Sequence, residues 1–209
     1  MTQRILEGVR HYYGGKVSQF GPTPRGADWN SRESQVLRFE QLLKVARDPG
    51  PLSLNDYGCG YGALVDYLVD RGYEFQYTGY DISKEMINEA RKHHGRRPEC
   101  RFLTTRSRLT AANYTVASGI FNVRLSTPDD VWRDYVFSTL HDFNGLSEKG
   151  FAFNALTSYA DRERMRPDLY YADPALLFDY CKRHFSRFVS LIHDYPLYEF
   201  TILVRKQEA

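Results

Sequence analysis

A chain of 209 residues with 42% hydrophobic and 26% charged side chains has the size and make-up of one domain with a sizeable core. Its 28 basic and 26 acidic residues leave a formal net charge of +2, which argues neither for nor against nucleic acid, and no apolar run is long enough to span a bilayer. Three cysteines, Cys59, Cys100 and Cys181, are odd in number and lack zinc spacing, which speaks against a disulfide scaffold or a zinc module and for a reduced, cytoplasmic chain without a metal.

Residues 1–30 contain Gly14-Gly15, Pro22 and Pro24 and show little periodicity. They read as an irregular arm set before a domain over 31–209, and the first residues lack the apolar core of a signal peptide. The arm is rich in aromatics: Tyr12, Tyr13, Phe20 and Trp29. Ser31 or Asn30 can cap a helix that buries Val36, Phe39, Leu43 and Ala46, with Pro49-Gly50-Pro51 as its stop. A strand at 52–57, a helix at 62–71, a strand at 75–81, a helix at 84–94 and strands near 100–104 and 114–120 follow. Thr127-Pro128-Asp129-Asp130 is a helix start, with a cap, a proline at the first position and acids in the first turn, and the helix should reach about Phe143. A strand from Gly150 to Leu156, a helix from Asp173-Pro174 to about His184, and two strands near 187–193 and 198–205 turning at Pro196 complete the chain. Strand–helix alternation with a closing hairpin predicts an α/β fold whose sheet is mostly parallel with one antiparallel strand.

The most informative stretch is the turn Asp56-Tyr57-Gly58-Cys59-Gly60-Tyr61-Gly62 between the first strand and its helix. Nineteen residues after Gly62, Asp81 ends the second strand. Glycines let the backbone bend sharply and approach a ligand, a helix N-terminus offers N–H groups, and a strand-end carboxylate can accept both hydroxyls of a ribose. Gly58, Gly60 and Ala63 also satisfy the dinucleotide pattern G-x-G-x-x-G/A, which would imply a nicotinamide enzyme. Such enzymes need a second domain or a tyrosine–lysine pair, and Tyr80 and Lys84, though suitably spaced, fall where the ribose carboxylate belongs.

Asp56-x-Gly58-x-Gly60-x-Gly62 resembles motif I of the class I S-adenosylmethionine (SAM) methyltransferases. Asp81-Ile82-Ser83 is similar to that family's ribose site, Ser118-Gly119-Ile120-Phe121-Asn122 to its fourth-strand motif, and Val189 to Val204 to its closing hairpin, so the resemblance covers Ser31 to Arg205. It implies a three-layer Rossmann-like sheet of order 3-2-1-4-5-7-6 with strand 7 antiparallel. It also implies SAM as methyl donor, S-adenosylhomocysteine (SAH) as product, and a small metabolite or natural-product precursor as acceptor. Cofactor contacts then fall on Gln35, Arg38, Asp56, Gly58, Cys59, Gly60, Asp81, Ile82, Ser118 and Gly119. One departure is that Thr104-Thr105-Arg106-Ser107 replaces the acid that faces the adenine amine in many relatives, which leaves backbone carbonyls or Ser107 for that contact.

For the chemistry, strand ends sort the candidates, because ligands gather at the carboxyl edge of a parallel sheet. Arg38 on the first helix is a candidate for the carboxylate of the methionine end, or is an ion-pair partner of a nearby acid. His193-Asp194 at the end of strand six is the candidate acid/base pair, or a hydrogen-bonded turn; Asn122 and Arg124 after strand four are candidates to orient substrate. Tyr12, Tyr13, Trp29, Tyr170 and Tyr171 are lid candidates, since an aromatic face attracts a sulfonium, or they are ordinary packing. The sequence has neither Asn-Pro-Pro-Tyr nor a Pro-Cys nucleophile, and the basic run Arg91 to Arg108 begins at a helix C-terminus away from the active edge, so nucleic acid is not the expected partner. Rival readings are an azetidine-2-carboxylate synthase that cyclises SAM and releases methylthioadenosine, an RNA methyltransferase, and a SAM-binding protein without catalysis. The acceptor atom and the oligomeric state stay open.

Overall fold

The computed structural model describes residues 2–47 and 50–206. Its elements are α1 (Thr2–Phe20), α2 (Arg32–Leu43), β1 (Leu52–Tyr57), α3 (Ala63–Asp70), β2 (Phe75–Tyr80), α4 (Lys84–His94), β3 (Cys100–Leu103), β4 (Ala112–Ala117), α5 (Asp129–Gly145), β5 (Ser147–Leu156), α6 (Pro174–His184), β6 (Phe188–Ile192) and β7 (Glu199–Arg205). The seven strands form one sheet of order β3-β2-β1-β4-β5-β7-β6. β1 pairs in parallel with β2 and β4, and β7 runs antiparallel to both β5 and β6. The expected topology therefore holds, and so does the closing hairpin.

Local chemistry explains the elements. Ser31 caps α2 by accepting from the Ser34 amide, and its own amide donates to the Ser34 hydroxyl in return. Asp173 caps α6 through the Ala175 and Leu176 amides, with Pro174 at the first position. β1, β4 and β5 are buried almost throughout, as strands covered on both faces must be. One core layer gathers Phe121, Trp132, Phe143, Phe151 and Phe153 under α5 and α6; the other packs α2, α3 and α4 on the opposite face.

Three expectations change. The arm is not irregular: α1 runs for 19 residues and presents Ile5, Val9, Tyr13 and Val17 to the rest of the fold at four-residue spacing. Gly14 disguised it, because glycine disfavours helices, yet here an added Cβ would meet the Glu85 carboxylate at 3.1 Å, so Gly14 lets α1 lie close over the start of α4. The first helix of the domain ends at Leu43 with Lys44 as its cap, before the prolines; Pro49 lies outside the described residues. The helix α5 begins at Asp129, with Pro128 at the cap position and Thr127 outside it.

Gly79 in β2 tests how tightly the sheet packs beneath the glycine turn. A Cβ there would lie 2.8 Å from Cys59 Sγ and 2.9 Å from the Tyr77 ring. Gly79→Ala should cost about 1–3 kcal/mol from overpacking, read as a lower denaturation midpoint at unchanged m-value; an unshifted midpoint would contradict the packing described.

Candidate functional site

The carboxyl ends of β1, β2 and β4 open into a cleft roofed by α1 and by the segment before α2. Gly58, Gly60 and Gly62 in the turn after β1 have φ of +85°, +54° and +87°, a region that other residues rarely enter. A Cβ on Gly58 would also meet Ile120 at 2.2 Å. The amides of Gly58 and Cys59 donate to the Tyr80 carbonyl, that of Gly62 to Cys59, and that of Gly60 to Asp81 Oδ2 at 2.9 Å. Those four amides are thus used internally, so the turn offers shape and space more than free donors.

Asp81 sits at the mouth of this turn. Its Oδ1 accepts the Ser83 amide at 2.8 Å, so two backbone donors fix its carboxylate while each oxygen keeps a second lone pair facing the cleft. Burial raises its pKa to about 6 against those two hydrogen bonds. Asp56 lies deeper. Burial raises it to about 7, although the Tyr77 hydroxyl donates to its Oδ2 at 2.8 Å. On the far wall, the Ser118 hydroxyl is buried without a hydrogen-bond partner and faces the same space. An orphaned buried hydroxyl costs about 1–3 kcal/mol unless a ligand satisfies it.

Of the residues singled out in the sequence, Tyr13, Trp29, Gln35, Asp56, Gly58, Cys59, Gly60, Asp81, Ile82, Ser118 and Gly119 converge on the cleft. Gln35 accepts from the Tyr61 hydroxyl at 3.0 Å. Arg38 does not line it. Its Nε and Nη2 donate to Glu199 at 2.9 and 2.6 Å, its Nη1 donates to the Ser34 carbonyl, and the side chain is buried, so the ion-pair reading of this residue is the one the geometry bears out. Ser107 is exposed and outside the cleft lining, which removes it as an adenine contact. His193 and Asp194 are exposed and line neither this cleft nor its neighbour, because β6 is the sheet edge farthest from β1; the acid/base assignment therefore lacks a geometric basis.

Asn122 and Arg124 hold the chain together behind the cleft. Asn122 Oδ1 accepts the Leu156 amide at 3.3 Å and its carbonyl the Tyr170 amide at 2.8 Å, while Arg124 donates to the Leu169 and Thr127 carbonyls and pairs with Asp129 at 3.0 Å. Tyr170 is a core residue. Tyr12 donates to Asp28 at 2.7 Å on the roof. Tyr171 lies in a second cavity. In the basic run, Lys92 pairs with Glu89, Arg97 with Glu99 and Arg106 with Asp142.

Several wall residues escaped the sequence reading. Tyr57 and Tyr61 lie inside the glycine turn itself, and Leu6 and Val9 reach the cleft from α1. The stripe 5, 9, 13, 17 was the available signal for the latter. Glu199 could not be found, since its partner Arg38 is 161 residues away in sequence.

A family model described as "Methyltransferase domain" matches residues 55–141. A Mycobacterium tuberculosis (strain ATCC 25618 / H37Rv) protein, Rv1506c, named as a candidate methyltransferase, is 51% identical over 164 residues, spanning 78% of this chain and 99% of its own. Among solved structures, a DhpI–SAH complex shares the fold with a TM-score of 0.63 at 17% identity, over 95% of each chain. Magnesium protoporphyrin IX methyltransferase (ChlM) from Synechocystis PCC 6803 with bound SAH does so with a TM-score of 0.59 at 14% identity, over 84% of this chain and 81% of its own.

Two outcomes test this geometry. Asp56 and Asp81 are raised from 3.8 to about 7 and about 6, so the folded state binds their protons more tightly than the unfolded chain does. The stability they contribute is full below about pH 4 and is lost as pH rises through about 6 to 7. Chemical denaturation of the ligand-free protein should show that decline, and Asp56→Asn should flatten it; an identical slope in the variant would refute the assignment. Glu199→Gln strands the Arg38 guanidinium and should cost about 3–5 kcal/mol, measurable as a drop in melting temperature, whereas an unchanged melt would show the pair to be dispensable.

Proposed function

The chain belongs to the class I S-adenosylmethionine-dependent methyltransferases, and from that membership we propose that it moves the methyl group of SAM to a small metabolite or natural-product precursor. The observation that carries this reading is the pairing of a pinned carboxylate with an unpartnered hydroxyl across one cleft. Asp81 stands ready to accept two hydroxyl protons, and the Ser118 hydroxyl, opposite, awaits a polar partner.

The residues present fit the donor molecule. Gly58 leaves room beside Ile120 that any side chain would fill. Asp81 would hold the ribose hydroxyls. Tyr57, Tyr80, Ile82, Ile120 and Tyr135 supply the aromatic and aliphatic surfaces that would receive the base, in place of the acid that is missing after β3. Gln35, Ser118 and the faces of Tyr13 and Trp29 would receive the methionine end and its positive sulfur. When bound, SAM supplies an electrophilic methyl group, so the work left to the protein is to orient an acceptor and exclude water. The roof of α1, closed by Leu6, Val9 and Tyr13, serves exclusion. A narrow, roofed cleft favours a small acceptor over a macromolecule. The three free thiols accord with a reducing compartment, and among the described residues no helix is long and apolar enough to cross a membrane.

Calorimetry should detect binding of both SAM and SAH. Asp81→Ala and Gly58→Ala should each weaken it about tenfold or more, as expected for the loss of charge-assisted hydrogen bonds or of the space itself. Affinity should fall below about pH 6, where Asp81 protonates. Absence of any heat with either molecule would end this proposal.

A further inference from the structure

Beside the first cleft lies a second cavity, which shares Tyr13, Ala27 and Trp29 with it. Resting on the reading of the first cleft as the methyl-donor site, we propose that this second cavity is the acceptor site and that it takes a small molecule carrying an anionic oxygen group, a carboxylate or a phosphate. The carboxylates that line the cavity are already engaged. Asp28 receives the Tyr12 hydroxyl at 2.7 Å on one oxygen and Lys16 Nζ at 2.8 Å on the other. Glu199 receives Arg38 on both oxygens and Asn154 Nδ2 on Oε2.

The donors are not all engaged. Among the described residues the Arg164 guanidinium makes no hydrogen bond. It sits over the Tyr198 ring at 5.7 Å and approaches Asp161 only to 3.8 Å, and Asp161 itself accepts from the Tyr198 hydroxyl. Arg166 is more engaged: Nε and Nη2 donate to Asp168, and the side chain also meets the Tyr12 hydroxyl and pairs with Asp28 at 3.8 Å. Both arginines line the cavity, as do the rings of Trp29, Tyr171 and Tyr198. What this space offers an incoming molecule is the Arg164 guanidinium above aromatic walls, with the cavity's carboxylates paired to Lys16 and Arg38.

The same inventory bears on reactivity. Among the described residues no histidine lines either cavity, and the carboxylates of the second are charge-paired, Asp28 with Lys16 and Glu199 with Arg38. No histidine is thus at hand to take a proton from an acceptor. A nucleophile that is already ionised at neutral pH needs none, and a carboxylate or phosphate oxygen is such a nucleophile.

The test separates this site from the donor site. The full chain, without SAM, is titrated by calorimetry with benzoate and with phenyl phosphate, and with benzamide as the neutral counterpart; SAH is titrated in parallel. One of the two anions should bind at least about tenfold more tightly than benzamide, and which of them does so distinguishes a carboxylate from a phosphate acceptor. Arg164→Gln, an exposed position whose change leaves the core untouched, and Arg164→Gln/Arg166→Gln should lower anion affinity by about tenfold while leaving SAH affinity intact. Equal binding of benzamide and the anions, or full anion affinity in the double variant, overturns the proposal. Anion binding in a protein that ignores SAH would instead overturn the donor-site reading on which it rests.

Discussion

A guanidinium as deeply buried as that of Arg38, at 5% exposure, can be kept charged in the interior only by an equally buried partner, and Glu199 is that partner at 2%. The pair fastens α2 to the first residue of β7. Its reach is wider than two residues. Glu199 also accepts from Asn154 in β5, and Asn154 Oδ1 accepts the Gly119 amide at 2.7 Å, which sets the course of the chain leaving β4. The other face of Arg38 carries the Trp29 indole at 4.0 Å. Trp29 in turn presses on Gly119, where an added Cβ would lie 2.1 Å from the ring. The contacts close on themselves, and they place one aromatic wall between the two cavities.

That wall works because glycine stands where side chains would intrude. Gly119 has φ of +72° and faces Trp29; Gly58 has φ of +85° and faces Ile120. Each glycine permits a close approach on one side of the cleft, and each belongs to a loop leaving a central parallel strand. The site therefore lies at the switch point of the sheet, where β1 parts from β4 and the chain turns to opposite faces. The Arg38 network supplies what the switch point alone cannot, a rigid partition beyond it.

The sheet order, the glycine turn and the ribose carboxylate were legible because they are local. Strand–helix alternation, positive-φ glycines and an acid at a strand end each occupy a short window of sequence. Residues whose role depends on distant partners were not legible. Arg38 carried two readings until Glu199 was placed beside it, and His193-Asp194, adjacent in sequence and chemically apt, falls on the edge strand away from both cavities. Ser107 failed for a related reason, since the short turn at Arg106–Arg108 turns it outward. The helix α1 was hidden by its glycines, although its stripe of Ile5, Val9, Tyr13 and Val17 follows the helical period. In that case the packing of a stripe over a groove outweighed intrinsic propensity.

The partition and the roof are held by unlike forces. The roof is joined to the segment before α2 by Tyr12 and Lys16 on Asp28, contacts whose charged side chains are 29% and 20% exposed. Ion pairs open to water contribute about 0–1 kcal/mol; breaking a buried pair such as Arg38–Glu199 costs about 3–5 kcal/mol. Beneath the roof, α1 meets the fold through the apolar stripe Ile5, Val9, Tyr13 and Val17. The ionic contacts of the roof are therefore the cheaper ones to break.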